Sequence, residues 1–138
     1  MIVVDASVLI DVLLNRSEAL AFLAREQAGR EHEPLHAPAV IEPETLNVLR
    51  KFVLRRLVTP RRATEAVADL SKARLIRYPH EPLVFRIWDL CNQLSAYDAS
   101  YVALAEVLGD HARLLTRDKG LAKTARALLG ADRVALVS

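Results

Sequence analysis

Ile2-Val3-Val4-Asp5-Ala6-Ser7-Val8-Leu9 is the stretch that decides the fold. Three β-branched apolar residues run straight into an acid and then into a helix-patterned segment. That reads as a short buried strand over 2–5, with Ser7 as the N-cap of a helix over 8–14. The same grammar recurs downstream. Arg113-Leu114-Leu115-Thr116 reads as a strand, and Asp118 follows it at the head of a helix that begins at Asp118 or Lys119 and runs to Leu129. Between them, Asp98 opens the helix-patterned stretch Asp98-Ala99-Ser100-Tyr101-Val102-Ala103-Leu104-Ala105, which Gly109 stops.

The rest of the chain alternates in the same way. A second helix covers 17–28, with Leu20, Leu23 and Ala24 on one face. Leu35-His36-Ala37 is a second strand. A long helix over about 43–57 carries Leu46, Leu49, Val53 and Leu57 as its apolar stripe, with Pro43 in its first turn. Thr59-Pro60 opens another helix, to about residue 71. Leu75-Ile76-Arg77-Tyr78 is a third strand, Pro82 starts a helix to about 95, and Val134-Ala135-Leu136-Val137 is a fifth strand. Five short strands separated by helices predict an α/β fold: a mainly parallel central sheet with helices on both faces, in one domain over 1–138.

Composition agrees. Of 138 residues, 52% are hydrophobic and 26% charged, which is globular rather than disordered. The net charge of +2 says little about partners. The single cysteine, Cys91, excludes an internal disulfide and reads as a small buried hydrophobe. No apolar run reaches the roughly 18 residues needed to span a membrane. Asp5 and Asp11 interrupt any signal-like segment, so a cytoplasmic location is the default.

Chain direction then brings the acids together. In a parallel α/β sheet, helices begin at the C-terminal edge of the strands, because they run back down. Asp5 and Asp118 follow strands one and four, while Glu44 and Asp98 lie in first helical turns. All four are expected on one rim, where such folds bind ligands if strand order reverses there. Converging carboxylates repel and raise one another's pKa unless a cation joins them. Hard oxygen donors with no His/Cys spacing suit Mg2+ or Mn2+. Taken singly, each acid is better explained by helix capping or solvation. Taken together, they favour a metal site able to activate water on a phosphodiester.

Four segments also resemble a known family. Val3-Val4-Asp5-Ala6-Ser7-Val8-Leu9 looks like the opening of PIN-domain ribonucleases. Glu44-Thr45-Leu46-Asn47-Val48-Leu49-Arg50 looks like their second acidic motif. Tyr97 to Glu106 resembles the third closely, and Leu115 to Ala122 looks like the fourth. The similarity is greatest to the VapC toxins of type II toxin–antitoxin systems. It implies a three-layer α/β/α PIN-like fold and a Mg2+- or Mn2+-dependent endoribonuclease acting on structured RNA such as tRNA or rRNA. It further implies a homodimer and inhibition by a cognate VapB-type antitoxin. Carried onto this chain, Asp5, Glu44, Asp98 and Asp118 become the catalytic acids. Asp5 and Asp98 would be direct metal ligands, and Glu44 and Asp118 direct or water-mediated ones. Two positions depart from the pattern. Pro43 precedes Glu44, where a kink would displace the glutamate in favour of Glu42. Lys119 stands where some relatives carry a further acid.

Other groups are secondary. Ser7 and Thr116 sit two residues from Asp5 and Asp118, placed either to orient a carboxylate or to cap a helix. Asn47, one turn past Glu44, is either a supporting group or a buried amide. Arg50, Lys51, Arg55 and Arg56 belong to an acid-free basic run through Arg62 that reads as an RNA-contacting surface or a solvated helix face. Antitoxin contacts are expected on this helix and on the one from Ala19 to Ala28. Tyr97, Tyr101 and Trp88 read as packing residues, and the four histidines as surface or strand-edge residues. Asp11 and Asp89 read as solvated or salt-bridged. Two alternatives compete: a PIN fold that only binds RNA or protein, and a receiver-like signalling module. The second expects an acid after the third strand, where this chain has Pro79-His80.

Overall fold

The computed structural model describes residues 1–137. Five parallel strands form the sheet: β1 (Ile2–Val4), β2 (Leu35–Pro38), β3 (Leu75–Tyr78), β4 (Arg113–Thr116) and β5 (Val134–Leu136). Their spatial order is β3-β2-β1-β4-β5. Val3 and Val4 of β1, and Leu114 and Leu115 of β4, are completely buried. This is why the strands read as continuous apolar runs rather than alternating ones.

Seven helices link them: α1 (Ala6–Leu13), α2 (Ser17–Glu26), α3 (Ile41–Leu54), α4 (Pro60–Lys72), α5 (Val84–Leu90), α6 (Ala96–Leu108) and α7 (Lys119–Leu129). From β1 to β3 the chain steps one way across the sheet, and from β3 to β5 it steps back. With right-handed crossovers, that reversal puts α1–α4 on one face and α5–α7 on the other. Inter-helix contacts follow the same division: α1 meets α2, α3 and α4, whereas α6 meets α5 and α7. The reversal falls between β1 and β4, which pair with Val4 beside Leu115. Those are the strands that deliver Asp5 and Asp118.

Helix α6 is the centre of the second face. Seven consecutive residues, Ala99 to Ala105, are buried, as expected of a helix that is apolar all round. It packs on β1, β2 and β4. Gly109 caps its end at φ +101, a conformation that favours glycine. With α6 so fixed, its first turn, carrying Asp98, has little freedom to move.

Several local expectations need correction. The N-cap of α1 is Asp5 rather than Ser7, and Asp5 accepts from the Val8 N–H at 3.1 Å. Helix α3 begins two residues before Pro43, and the Glu44 N–H still bonds to the Val40 carbonyl at 3.1 Å. Pro43 falls in the first turn, where its missing N–H leaves no hydrogen bond unmade, so no kink displaces the glutamate. The helix expected over 82–95 is shorter, a 3-10 turn over Glu81–Leu83 followed by α5. Ser95, not Asp98, caps α6. His36 is buried against Tyr78, whose hydroxyl lies 2.7 Å from its Nδ1. Trp88 does not pack: it is 76% exposed, and Phe85 one turn earlier is 87% exposed. Leu46 and Leu57, expected in the apolar stripe of α3, are exposed as well.

Candidate active site

Asp5, Glu44, Asp98 and Asp118 line one cleft of about 390 Å³ at the β1/β4 reversal. Ser7, Asp11, Arg16, Val48, Phe52, Tyr101 and Arg117 line it with them. Each acid arrives by a different local device. Asp5 sits between the end of β1 and the first turn of α1. Asp118 does the same between β4 and α7, accepting from the Leu121 N–H at 3.0 Å. Glu44, Val48 and Phe52 recur every four residues, so one stripe of α3 faces the cleft. Asp98 is the third residue of α6, and its N–H is taken by the Ser95 hydroxyl at 3.1 Å.

Asp5 is the most tightly held. Its Oδ1 accepts from Ser7 Oγ at 2.5 Å and its Oδ2 accepts from Thr116 Oγ1. Both hydroxyls pass the order on: Ser7 Oγ accepts from the Arg117 N–H, and Thr116 Oγ1 from the Asp118 N–H, each at 3.0 Å. Ser7 and Thr116 therefore orient the carboxylate instead of capping helices. Burial pushes the Asp5 carboxyl above its ordinary pKa. The bonds from Ser7, Thr116 and Val8 oppose that rise, and the charge of Asp118 adds to it.

On the other wall, Glu44 Oε1 accepts from the hydroxyl of fully buried Tyr101 at 3.1 Å. Burial raises the Glu44 pKa, the Tyr101 bond lowers it, and Asp98 and Asp5 raise it further. Burial beside Glu44 drives the Tyr101 phenol far up, so it remains a hydrogen-bond donor. Asp98 accepts no hydrogen bond among the described residues, and its pKa is raised by burial, then by Asp118 and Asp5. Glu42 does not compete with Glu44. It pairs with Arg77 at 3.0 Å, away from the cleft.

The remaining sequence expectations divide. Ser7 and Thr116 are at Asp5. Asn47 is exposed and does not line the cleft, and neither does Lys119. Arg50 lines an apolar groove between α3 and α4, while Lys51, Arg55 and Arg56 are exposed outside the cleft. Four polar cleft residues carry no functional expectation from the sequence: Tyr101, Asp11, Arg16 and Arg117. Tyr101 had a usable signal, because it lies three residues after Asp98 and shares its helix face. The arginines had none, since both meet in space through Asp11.

The donors fit a hard divalent cation. All are carboxylate oxygens, burial and neighbouring charge raise the pKa of Asp5, Glu44 and Asp98, and Asp98 is without a hydrogen-bond partner among the described residues. Among the described residues no three acids form a ready-made cation cage. An open arrangement, with one or two direct carboxylates and water completing the shell, is what Mg2+ prefers.

Comparisons with known proteins converge. The model of the PIN domain family matches residues 2–127. Ribonuclease VapC9 of Mycobacterium tuberculosis is 38% identical over 127 residues, covering 92% of this chain and 93% of that protein. Ribonuclease VapC12 of the same species is 34% identical over 124 residues, covering 90% and 92%. The crystal structure of PAE2754 from Pyrobaculum aerophilum superposes with a TM-score of 0.59 at 22% identity, covering 93% of this chain and 91% of that one. That likeness bears on the fold alone, and the sequence matches on the family. With its acids placed as described, the chain belongs to the PIN-domain family, in the branch of the VapC ribonucleases.

Proposed function

We propose that this protein is the toxin of a VapBC-type toxin–antitoxin system, a Mg2+- or Mn2+-dependent endoribonuclease that hydrolyses structured RNA such as tRNA or rRNA in the cytoplasm. The observation that carries the reading is the cleft itself. Four carboxylates from four elements share one rim, and burial, with a smaller push from the neighbouring acids, raises the pKa of Asp5, Glu44 and Asp98. The bound cation would supply activation of water and stabilisation of charge developing on the phosphate. Asp5 and Asp98 would hold it directly, and Glu44 and Asp118 directly or through water.

The chain's own groups do the rest. Ser7 and Thr116 donate to opposite oxygens of Asp5 and fix its plane. Tyr101 keeps Glu44 turned into the cleft. Glu44, its pKa raised by burial, is placed to take a proton from the attacking water. Lys51 lies seven residues beyond Glu44, in phase with it on α3, and would meet RNA leaving the cleft, with Arg50, Arg55 and Arg56 nearby. The apolar groove of Leu46, Leu49, Val53, Leu54, Ala63 and Val67 suits an amphipathic antitoxin segment. Exposed Phe85 and Trp88, one turn apart on α5, suit a homodimer contact.

The test is cleavage of tRNA and rRNA by the purified protein. Mg2+-dependent cuts, abolished by EDTA and by Asp98→Asn with the fold intact, are expected. Full activity in Asp98→Asn, or in EDTA, would refute the site.

A further inference from the structure

We propose that Arg16 and Arg117, held side by side by buried Asp11, form a phosphate clamp. It would seat the RNA backbone next to the cleaved bond. The inference rests on the ribonuclease reading above and names the part of that site that receives the substrate's charge.

Asp11 is 2% exposed and lies on α1 beyond Asp5. Its two oxygens are divided between two cations. Oδ1 pairs with Arg16 Nη1 at 2.8 Å and Oδ2 pairs with Arg117 Nη1. The two side chains come from opposite ends of the chain. Arg16 follows Asn15, whose left-handed φ of +56 ends α1 and turns the chain back, so the Arg16 N–H bonds to the Asp11 carbonyl at 2.9 Å. The Arg16 guanidinium carbon also lies 5.4 Å from the Phe52 ring centroid. Arg117 is fixed through its backbone N–H on Ser7 Oγ, the hydroxyl that also orients Asp5.

Each guanidinium gives Asp11 one nitrogen and makes no other side-chain hydrogen bond among the described residues. The side chains remain 44% and 41% exposed while that of Asp11 is 3% exposed. An arginine has five N–H donors, so each keeps solvent-accessible donors beyond the one used on Asp11, and a guanidinium fork suits phosphate. The location matters as much. Asp5, Asp11, Glu44, Asp98 and Asp118 line the cleft, and among the described residues these arginines are its only cationic lining residues. The same Asp11, Arg16 and Arg117 also line a second cleft, with Ser17 and Glu18. The pair thus stands between the acidic cleft and the next depression, on the path of a strand that crosses both. A purely structural ion pair, tying α1 to the segment after β4, would explain the buried carboxylate. It would not require two cations, each with accessible donors to spare.

The test measures the affinity of labelled tRNA against NaCl concentration, in an Asp98→Asn background that binds without cutting. Arg16→Gln and Arg117→Gln are each expected to weaken binding about tenfold and to lower the salt slope by about 0.7, the loss of one phosphate contact on a single strand. Asp11→Asn separates the readings. It adds a unit of positive charge, so general attraction predicts tighter binding, whereas a clamp that loses its anchor predicts weaker binding. In the active enzyme, Arg16→Lys and Arg117→Lys retain charge and the pairing with Asp11. They should raise KM with kcat and melting temperature little changed, and they serve if the glutamine variants do not fold. Unchanged salt slopes and KM, or tighter binding by Asp11→Asn, would overturn the clamp while wild-type cleavage leaves the ribonuclease reading standing. Absence of binding and cleavage of both tRNA and rRNA by the wild-type protein would overturn both readings.

Discussion

The two walls of the acidic cleft are built differently. The Asp5 wall is locked: Ser7, Thr116 and the Val8 N–H all donate to one carboxylate, which is buried at the head of α1. The opposite wall is sparse. Glu44 has a single donor, the Tyr101 hydroxyl, and Asp98 has none among the described residues. A carboxylate held by three donors has its orientation set before any ligand arrives and still has a lone pair to offer. One without donors keeps its lone pairs for a cation. The cleft therefore pairs a preset anchor with a vacant acceptor, the combination the proposed metal site calls for.

The sharpest way to break this contrast is to remove the vacant acceptor. Asp98→Asn is expected to lower metal-dependent RNA cleavage by about a thousandfold or more, the scale of losing a group that stabilises the transition state. Circular dichroism should show an unaltered fold. Thr116→Val strikes the anchor instead. It preserves shape and removes the donor to Asp5 Oδ2, so activity should fall by about 10–100-fold, as for other partners of metal ligands. It should also cost about 1–2 kcal/mol of stability, because a buried acceptor is left unmet. Equal activity in Thr116→Val and wild type would show that the anchor does not need this bond. Tyr101→Phe tests the sparse wall more gently. Glu44 keeps its place on α3 but loses its hydroxyl partner, and kcat should drop by about tenfold or less, with KM nearly constant.

The smallest effect is on stability and has a defined sign. Asp5, Glu44 and Asp98 all have pKa values raised in the folded, metal-free protein. The native state therefore binds more protons than the unfolded one above the ordinary carboxyl range, and their contribution to stability is lost as pH rises through the raised values. Relative to Asp98→Asn, the wild-type protein in EDTA should lose melting temperature as pH rises above the ordinary carboxyl range, and Mn2+ should close the difference. A pH-independent difference would show that neither burial nor repulsion raises the Asp98 pKa.

Much of this site was legible in the sequence, because it depends on chain direction. Once β1 and β4 are recognised by their apolar runs, Asp5 and Asp118 must lie past their C-terminal ends. The helices that carry Glu44 and Asp98 must also start at that edge. What periodicity does not report is which polar groups meet across the sheet. Thr116 reaches Asp5, Tyr101 reaches Glu44, and Arg117 reaches Asp11, in each case across more than fifty residues of chain. Ser7 was misread for a local reason: both Asp5 and Ser7 are good capping residues, and the backbone turns at Asp5. Trp88 was misread because an aromatic at helical spacing suggests a buried face, but α5 is short and turns Trp88 to solvent.

The most direct test of this cleft is a crystal soaked in Mn2+ and measured for anomalous scattering. A peak is expected in the cleft within coordination distance of the carboxylates of Asp5 and Asp98, and it should be lost in Asp98→Asn. At saturating Mn2+, a wild-type cleft without a peak, or a peak held equally well by Asp98→Asn, would contradict the proposed metal site.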